Sequence, residues 1–277
     1  LNILWNIFSF ATTYFSVDGF KPEEHHPRNY VDVLTPEDKW ILTRTNNAVQ
    51  EVSQHLEEME INNACRKILS FIVEDLSRTY VRAIRRRAWS ETLSREKLAA
   101  YSCLHYALKK SLHLLAPFAP YISDALYDRV RQPGDPESIH LADWPSVDND
   151  LIWDRVESYM GVVRDVLTAI LAARQRGGRK LRSPVARIII SPKTSEARDA
   201  LLFFSSYLTQ SSNCRSLEIL DVGASPRELV RELDLNLRAL GPRLGVKLQI
   251  LMALLREKGK EEILGRIYDM GEAEIEL

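Results

Sequence analysis

Apolar residues recur every three or four positions along residues 1–176, which is the spacing of a buried helix face. Residues 1–17 carry two such apolar series, and a helix that is apolar on two sides is expected to be buried on both. This helix would sit centrally in a bundle or face a further domain. The same spacing predicts additional helices at residues 36–59, 64–89, 94–115, 121–131 and 151–176.

Capping residues and prolines refine the limits of these helices. Thr35 and Pro36 are typical of a helix start, because threonine can cap the first turn and proline suits its first position. Ser94 marks the start of the fourth predicted helix. Pro117 and Pro120 lack an amide donor and clash with the preceding turn, so they interrupt the helical pattern. Residues 138–145 are predicted to be extended.

The helix predicted at 151–176 carries an apolar seam that alternates between steps of four and three residues. This spacing sustains three heptads and predicts packing along a partner helix. The seam consists of Ile152, Val156, Tyr159, Val163, Val166, Ile170 and Ala173.

The composition changes after Gly177 and Gly178. Residues 185–191 are β-branched and predict a strand, and residues 217–222 alternate as a strand does. Further elements are predicted as strands at 230–237 and 273–277 and as helices at 196–208, 246–257 and 261–268. The chain is therefore predicted to be mainly α, with a helical bundle at 1–176, a basic linker at 177–184 and a small α+β domain at 185–277.

Composition limits the function classes. The chain has 277 residues, a formal net charge of −1 and a pI of about 6.7, so any nucleic-acid binding has to come from local basic patches. Three distant cysteines without a Cys-x-x-Cys pair argue against a zinc knuckle and fit a reducing compartment.

Residues 1–17 are short for a membrane span and lack the basic start of a signal peptide. The chain opens in mid-pattern without methionine, so we expect a cytoplasmic piece of a longer protein with no membrane contact.

A row of arginines stands out in residues 74–89. In helical projection, Val73, Leu76, Tyr80, Ala83 and Ile84 form a core stripe. The opposite side carries the arginine row, defined as Arg78, Arg82, Arg85, Arg86 and Trp89. Arginines beside an aromatic ring suit phosphate contact and base stacking. A solvated face with a Glu74–Arg78 pair is the simpler interpretation, and the residue types alone favour it.

A second basic segment follows at residues 174–184. The segment holds five basic residues and no acid, including Arg179, Lys180 and Arg182. Favourable charge at a helix C-terminus explains this pattern, and so does a phosphate site built from the Gly177 and Gly178 amides and the neighbouring cations. The sequence leaves the two interpretations equal.

Motifs of self-contained enzymes are absent from the sequence. There is no glycine-rich phosphate loop after a strand and no Gly-x-Ser-x-Gly elbow. The six histidines show no metal-ligand spacing, and the carboxylates are dispersed. We therefore predict no catalytic residue, no metal site and no cofactor in this chain.

Residues 115–122 (Leu-Ala-Pro-Phe-Ala-Pro-Tyr-Ile) resemble a segment shared by the helical anticodon-binding domains of the class I synthetases for valine, leucine and isoleucine. Residues 74–82 with the following arginines, 138–145, 180–184 and 237–245 resemble the isoleucyl-tRNA synthetases in particular. The resemblance covers essentially the whole chain. Thr79 stands where an aromatic residue is frequent in the family.

The resemblance implies a C-terminal piece of such a synthetase that holds the anticodon arm of isoleucine tRNA. The His-Ile-Gly-His and Lys-Met-Ser-Lys-Ser signatures of the family are missing. The resemblance therefore implies that ATP and Mg²⁺ bind to a separate catalytic domain. That domain and an editing domain would precede this part of the chain. Because a cysteine-based zinc module is also missing, the resemblance points to the archaeal and eukaryotic branch. The phosphate contacts it implies are Arg78, Arg82, Arg85, Arg86, Arg179, Lys180 and Arg182, with Trp89 available for stacking.

Two alternatives stay open from the sequence. One is a sibling synthetase for valine or leucine. The other is a helical scaffold that binds protein through the apolar helix at 1–17.

Overall fold

The computed structural model of the chain describes residues 2–224. One compact unit extends from the N-terminus to Gly223, and residues 224–277 form a second unit. The predicted strands at 230–237 and 273–277 and the predicted helices at 246–257 and 261–268 lie outside the described residues.

The described part is mainly α-helical, as predicted. A π-helical stretch occupies Phe71–Val81, and short 3-10 turns lie at Pro22–Glu24, Pro27–Tyr30, Ile139–Leu141 and Asn149–Leu151. The α-helices are α1 (Asn2–Val17), α2 (Pro36–Glu57), α3 (Ile61–Ser70), α4 (Arg82–Ala88), α5 (Arg95–Leu115), α6 (Pro120–Tyr127), α7 (Val156–Arg176), α8 (Ser195–Phe203) and α9 (Ser205–Ser212). The strands are β1 (Val185–Ile190) and β2 (Cys214–Ile219).

Helices α2 and α5 form the centre of the bundle, and both predicted helix starts are confirmed. The backbone N–H of Thr35 donates to the Asp38 carboxylate at 3.1 Å, which closes the first turn of α2. The Ser94 hydroxyl accepts from the Lys97 amide at 3.2 Å and caps α5. Helix α2 packs on α3, α5 and α7, and its Trp40 is almost fully buried. Helix α6 begins at Pro120, so the predicted proline interruption is confirmed.

Helix α1 is buried on one face, formed by Leu4, Ile7, Phe8, Ala11 and Phe15. The prediction of burial on both faces is wrong for Ile3 and Trp5, which are 38% and 43% exposed. The guanidinium of Arg129 lies 4.5 Å from the centre of the Trp5 ring. This cation–π contact lets the ring stay at the surface.

Residues 61–88 form one continuous helical rod, which starts three residues earlier than predicted and is π-helical in its middle. The wider turn places Phe71, Ile72, Asp75, Leu76, Tyr80 and Val81 on the buried face. Within this pattern the Thr79 hydroxyl donates to the Glu74 carbonyl, five residues back, at 2.7 Å. Four of the five predicted core residues are buried, and Val73 is half-buried.

Helix α7 connects the bundle to a small β-α-β unit. Val156, Val163 and Ile170 are buried at intervals of seven residues, which confirms these positions of the predicted seam, and α7 contacts α2, α8 and α9. The prediction is wrong for Ala173, which is exposed, and for Ile152, which precedes the helix. The helix starts at Val156 rather than at 151, because Arg155 adopts a left-handed backbone with φ of 63°. The segment predicted to be extended at 138–145 begins with a 3-10 turn instead.

Strands β1 and β2 pair in parallel, with Val185 opposite Cys214 and Ile190 opposite Ile219. The crossover between them is the helix predicted at 196–208, which the structure divides into α8 and α9 around the buried Phe204. The turn at 177–184 lies inside the compact unit that ends at Gly223. The predicted division into a bundle at 1–176 and an α+β domain at 185–277 stays a prediction, since residues 225–277 are outside the described part.

The described part of the chain has no helix with the length and apolar character that crossing a membrane requires.

Candidate nucleic-acid interface

All five residues of the arginine row, Arg78, Arg82, Arg85, Arg86 and Trp89, lie on the exposed side of the rod. Arg78 donates to Glu74 at 2.6 Å, so the predicted surface pair is confirmed. Among the described residues, no carboxylate pairs with Arg82, Arg85 or Arg86. These three guanidinium groups share two turns of helix α4, where one turn advances about 5.4 Å. They form a short ridge of positive charge that is free to bind anions.

A buried ion pair fixes this ridge to the bundle. Arg87 donates through both terminal nitrogens to Asp38 at 2.6 and 2.8 Å, and the side chain of Asp38 is fully buried. The Tyr80 hydroxyl donates to the same carboxylate at 2.6 Å. Burial opposes charge on the guanidinium, but Asp38 outweighs it and raises the pKa of Arg87. Because Arg87 points inward, Arg85 and Arg86 have to point outward.

A second buried carboxylate holds the π-helical stretch. Asp75 accepts from Arg44 of α2 at 2.9 Å and from Arg164 of α7 at 2.7 Å. The same Arg164 nitrogen donates to the Thr79 hydroxyl at 3.1 Å. Thr79 therefore belongs to a network that joins the rod to two helices. The helical projection missed Asp75 because a wider π-turn brings it to the inner face.

Trp89 lies at the C-terminal end of α4 and is 59% exposed. Its backbone N–H donates to the Arg85 carbonyl at 2.9 Å, which continues the helical pattern by one residue. A tryptophan at a helix end is more often part of the core. Here the exposed ring continues the arginine row and can stack on an unpaired base.

The second predicted basic segment is an exposed turn after α7. Arg179, Lys180 and Arg182 are all exposed. The amides of Gly177 and Gly178 donate to the Ala173 and Gln175 carbonyls at 3.0 Å each, so they cap the helix. The interpretation of these glycine amides as an anion site is therefore wrong. Any phosphate contact in this turn has to come from the side chains.

Arg174 stabilises this turn through hydrogen bonds to its backbone carbonyls. Its side chain is buried, and its Nη2 donates to the carbonyls of Lys180 at 2.8 Å and of Ser183. This clamp holds the turn against the end of α7.

One cluster within the described residues has ligand atoms close enough for a metal ion. His55, Glu58 and Glu60 approach within 4.8 Å of one another at the corner between α2 and α3. The Glu60 carboxylate accepts from Asn63 at 2.9 Å and contacts the His55 ring at 2.7 Å. These bonds stabilise the corner, where Met59 has a φ of 60°. These contacts within the connection between α2 and α3 explain why the three side chains lie close together.

A family model described as the anticodon-binding domain of tRNA ligase matches residues 38–190. This range contains the rod, the Arg87–Asp38 pair and the basic turn. The chain belongs to the anticodon-binding domain family of tRNA ligases. The predicted resemblance to this family is confirmed, and so is the mainly helical fold.

Three relatives of this anticodon-binding domain are isoleucine–tRNA ligases. The ligase of Pyrococcus abyssi is 38% identical over 278 residues, which cover 100% of this chain and 25% of the relative. That of Methanopyrus kandleri is 39% identical over 79% of this chain and 20% of the relative. That of Methanosarcina acetivorans is 37% identical over 87% of this chain and 23% of the relative. The chain therefore spans about a quarter of the length of these relatives.

Proposed function

We propose that this chain is the anticodon-arm binding part of an isoleucine–tRNA ligase. In this role it holds isoleucine tRNA so that the acceptor end reaches a catalytic domain elsewhere in a longer cytoplasmic protein. Activation of isoleucine with ATP and Mg²⁺ would take place in that domain, and an editing domain would be a further partner in the same chain. Relatives named isoleucine–tRNA ligase support isoleucine over valine or leucine.

The ridge of Arg82, Arg85 and Arg86 is the observation that carries this proposal. Arginine presents a planar fork that matches phosphate oxygens, and these three forks lack carboxylate partners among the described residues. The unpaired bases of an anticodon loop can be splayed and stacked on aromatic rings, for which Trp89 is placed at the end of the ridge. Arg78 would contribute after exchanging Glu74 for a phosphate.

The basic turn would add further contacts. Arg179, Lys180 and Arg182 project from a turn that Arg174 holds in place, so their backbone is already ordered before RNA binds. Preordering lowers the entropy lost on binding. Phosphate contacts of this kind position the tRNA, whereas contacts to base edges would read its sequence.

The test is tRNA binding by the chain at salt concentrations between about 50 and 200 mM, where affinity through several phosphates falls steeply. The double substitution Arg82→Glu and Arg85→Glu is expected to weaken binding and to lower the salt slope by about two, while the thermal melt is unchanged. Arg131→Glu, on an exposed arginine outside the row, serves as the control. Unchanged affinity in the folded double variant would remove the arginine row from the interface.

The same titration separates the proposal from a protein-binding scaffold. Such a scaffold would use the exposed Ile3 and Trp5 of α1, and an apolar interface would not weaken steeply with salt. Comparison of isoleucine, valine and leucine tRNA transcripts separates the sibling synthetases.

A further inference from the structure

A polar groove of about 510 Å³ lies beside the arginine row, between α4 and the β-α-β unit. Arg86 lines it from α4, and Arg215 lines it from the start of β2. Ser205, Ser206 and Thr209 line it from α9, and the Thr209 hydroxyl donates to the Ser205 carbonyl at 2.8 Å. None of the described residues that line the groove is acidic. Two arginines and two serines without a carboxylate form an environment that favours an anion.

Both arginines are available in this groove. Arg86 and Arg215 are exposed, and neither makes an ion pair with another described residue. Glu218, the acid nearest to Arg215 on β2, binds Arg187 at 3.3 Å instead. Arg215 lies on the same face of its strand as Leu217 and Ile219, which pack toward the core. The strand thereby directs Arg215 toward the helices and the groove.

Hydrogen bonds and core packing fix the walls of the groove. Gln210 of α9 donates to the Ala83 carbonyl of α4 at 3.2 Å, which ties the two walls together. Phe204 and Leu208 are fully buried and anchor α9. The two arginines come from elements that are 129 residues apart in the sequence and are held in one place by these contacts.

The groove is also connected to the basic turn. Asn213, another lining residue, donates to the Leu181 carbonyl at 2.8 Å. Leu181 lies between Lys180 and Arg182. The groove therefore lies between the arginine row on one side and the basic turn on the other, and it joins two patches that the sequence presents as separate.

We propose that this groove binds a backbone phosphate of RNA between Arg86 and Arg215, with the Ser205 and Ser206 hydroxyls as additional donors. The proposal rests on the proposed function and extends it, because it assigns the β-α-β unit a direct contact to the tRNA. The RNA backbone would follow one path from α4 through the groove to the turn at 179–182. A contact to a backbone phosphate carries no sequence information, so this contact would be independent of the anticodon sequence.

The test is binding of the full chain to isoleucine tRNA and to the same tRNA with a changed anticodon. Arg215→Glu is expected to weaken binding about tenfold to both RNAs and to reduce the salt slope by about one. Arg215→Lys keeps the charge and is expected to recover most of the affinity. Lys193→Glu makes the same charge reversal on an exposed residue of the same unit outside the groove, and it is expected to change affinity less than twofold.

The outcomes distinguish the groove from the wider proposal. If Arg82→Glu with Arg85→Glu weakens binding and Arg215→Glu does not, the groove assignment is overturned and the arginine row stands. If Lys193→Glu weakens binding as much as Arg215→Glu, the effect is long-range charge and the groove assignment is again overturned. If the unmodified chain shows no salt-dependent binding to tRNA, both the proposed function and the assignment of the groove as a phosphate site are overturned. Should Arg215→Glu lower the melting temperature, Arg215→Gln in a folded chain decides the same question.

Discussion

Arg87 of α4 binds Asp38 of α2 through both terminal guanidinium nitrogens, and the carboxylate between the two helices is fully buried. The pair sets the rotation of α4 about its axis. With Arg87 turned inward, the helix presents Arg82, Arg85 and Arg86 outward. The one arginine of this segment that is structural thus decides where the other arginines point.

Asp38→Ala is expected to destabilise the chain by about 3–5 kcal/mol, since it removes the buried carboxylate that Arg87 and Tyr80 share. The nearest carboxylate left to Arg87 is then Glu37 at 3.6 Å. Equilibrium unfolding in urea measures this loss. The matched control is Glu74→Ala, which removes the exposed partner of Arg78 and is expected to cost less than about 1 kcal/mol. Equal costs for the two variants would contradict a locking role for Asp38.

Arg174→Met is expected to loosen the basic turn while it preserves the apolar stem of the side chain. The substitution removes the donor to the Lys180 and Ser183 carbonyls, a loss of about 1 kcal/mol that corresponds to roughly fivefold faster local opening. Limited digestion with trypsin after residues 179–182, or amide hydrogen exchange there, measures the opening. Arg176→Met, on an exposed residue of the same helix turn, is expected to leave the rate unchanged.

Stability is expected to fall as the pH drops below about 6.5, and buried His105 is a main cause. Burial lowers the pKa of His105 to about 4, and its Nε2 contacts the Val130 carbonyl at 2.8 Å. Since the folded pKa lies below the unfolded value of 6.5, the unfolded chain takes up the proton first as the pH falls. The effect is absent above pH 6.5 and grows toward pH 4, to roughly 3 kcal/mol.

Unfolding in urea at several pH values measures this dependence. His105→Gln is expected to flatten the slope between about pH 6.5 and 4, because no proton can bind at this position in the unfolded chain. His140→Gln, on an exposed histidine, is the control and is expected to keep the slope of the unmodified chain. A slope that His105→Gln leaves unaltered would place the acid sensitivity in other groups, such as His26 and His113, whose pKa values burial also lowers.

The position of the arginine row and the starts of the helices can be predicted from the local sequence. Arg82, Arg85 and Arg86 lie on a regular α-helix, so the projection at 100° per residue places them correctly opposite Ala83 and Ile84. Thr35 and Ser94 correctly predict where α2 and α5 begin, because capping involves only neighbouring residues. These features depend on contacts within a few residues.

Features that depend on distant contacts were not predictable in this way. The π-helical geometry that buries Asp75 is sustained by Arg44 and Arg164, which lie on other helices. The sequence does not distinguish Arg87 from the neighbouring arginines, because its partner Asp38 lies on another helix. Arg215 is a single cation in a short strand, and only the fold brings it to the same groove as Arg86.

The most direct test of the central claim is binding of the chain to isoleucine tRNA compared with the same tRNA carrying a changed anticodon. A chain that holds the anticodon arm is expected to bind the unmodified tRNA more tightly, by about 1–3 kcal/mol if the hydrogen bonds to the edge of one base are lost. The Arg82→Glu and Arg85→Glu variant is expected to bind both RNAs more weakly, because phosphate contacts carry no sequence information. Equal affinity of the unmodified chain for both tRNAs, together with unchanged affinity in that variant, would contradict the account.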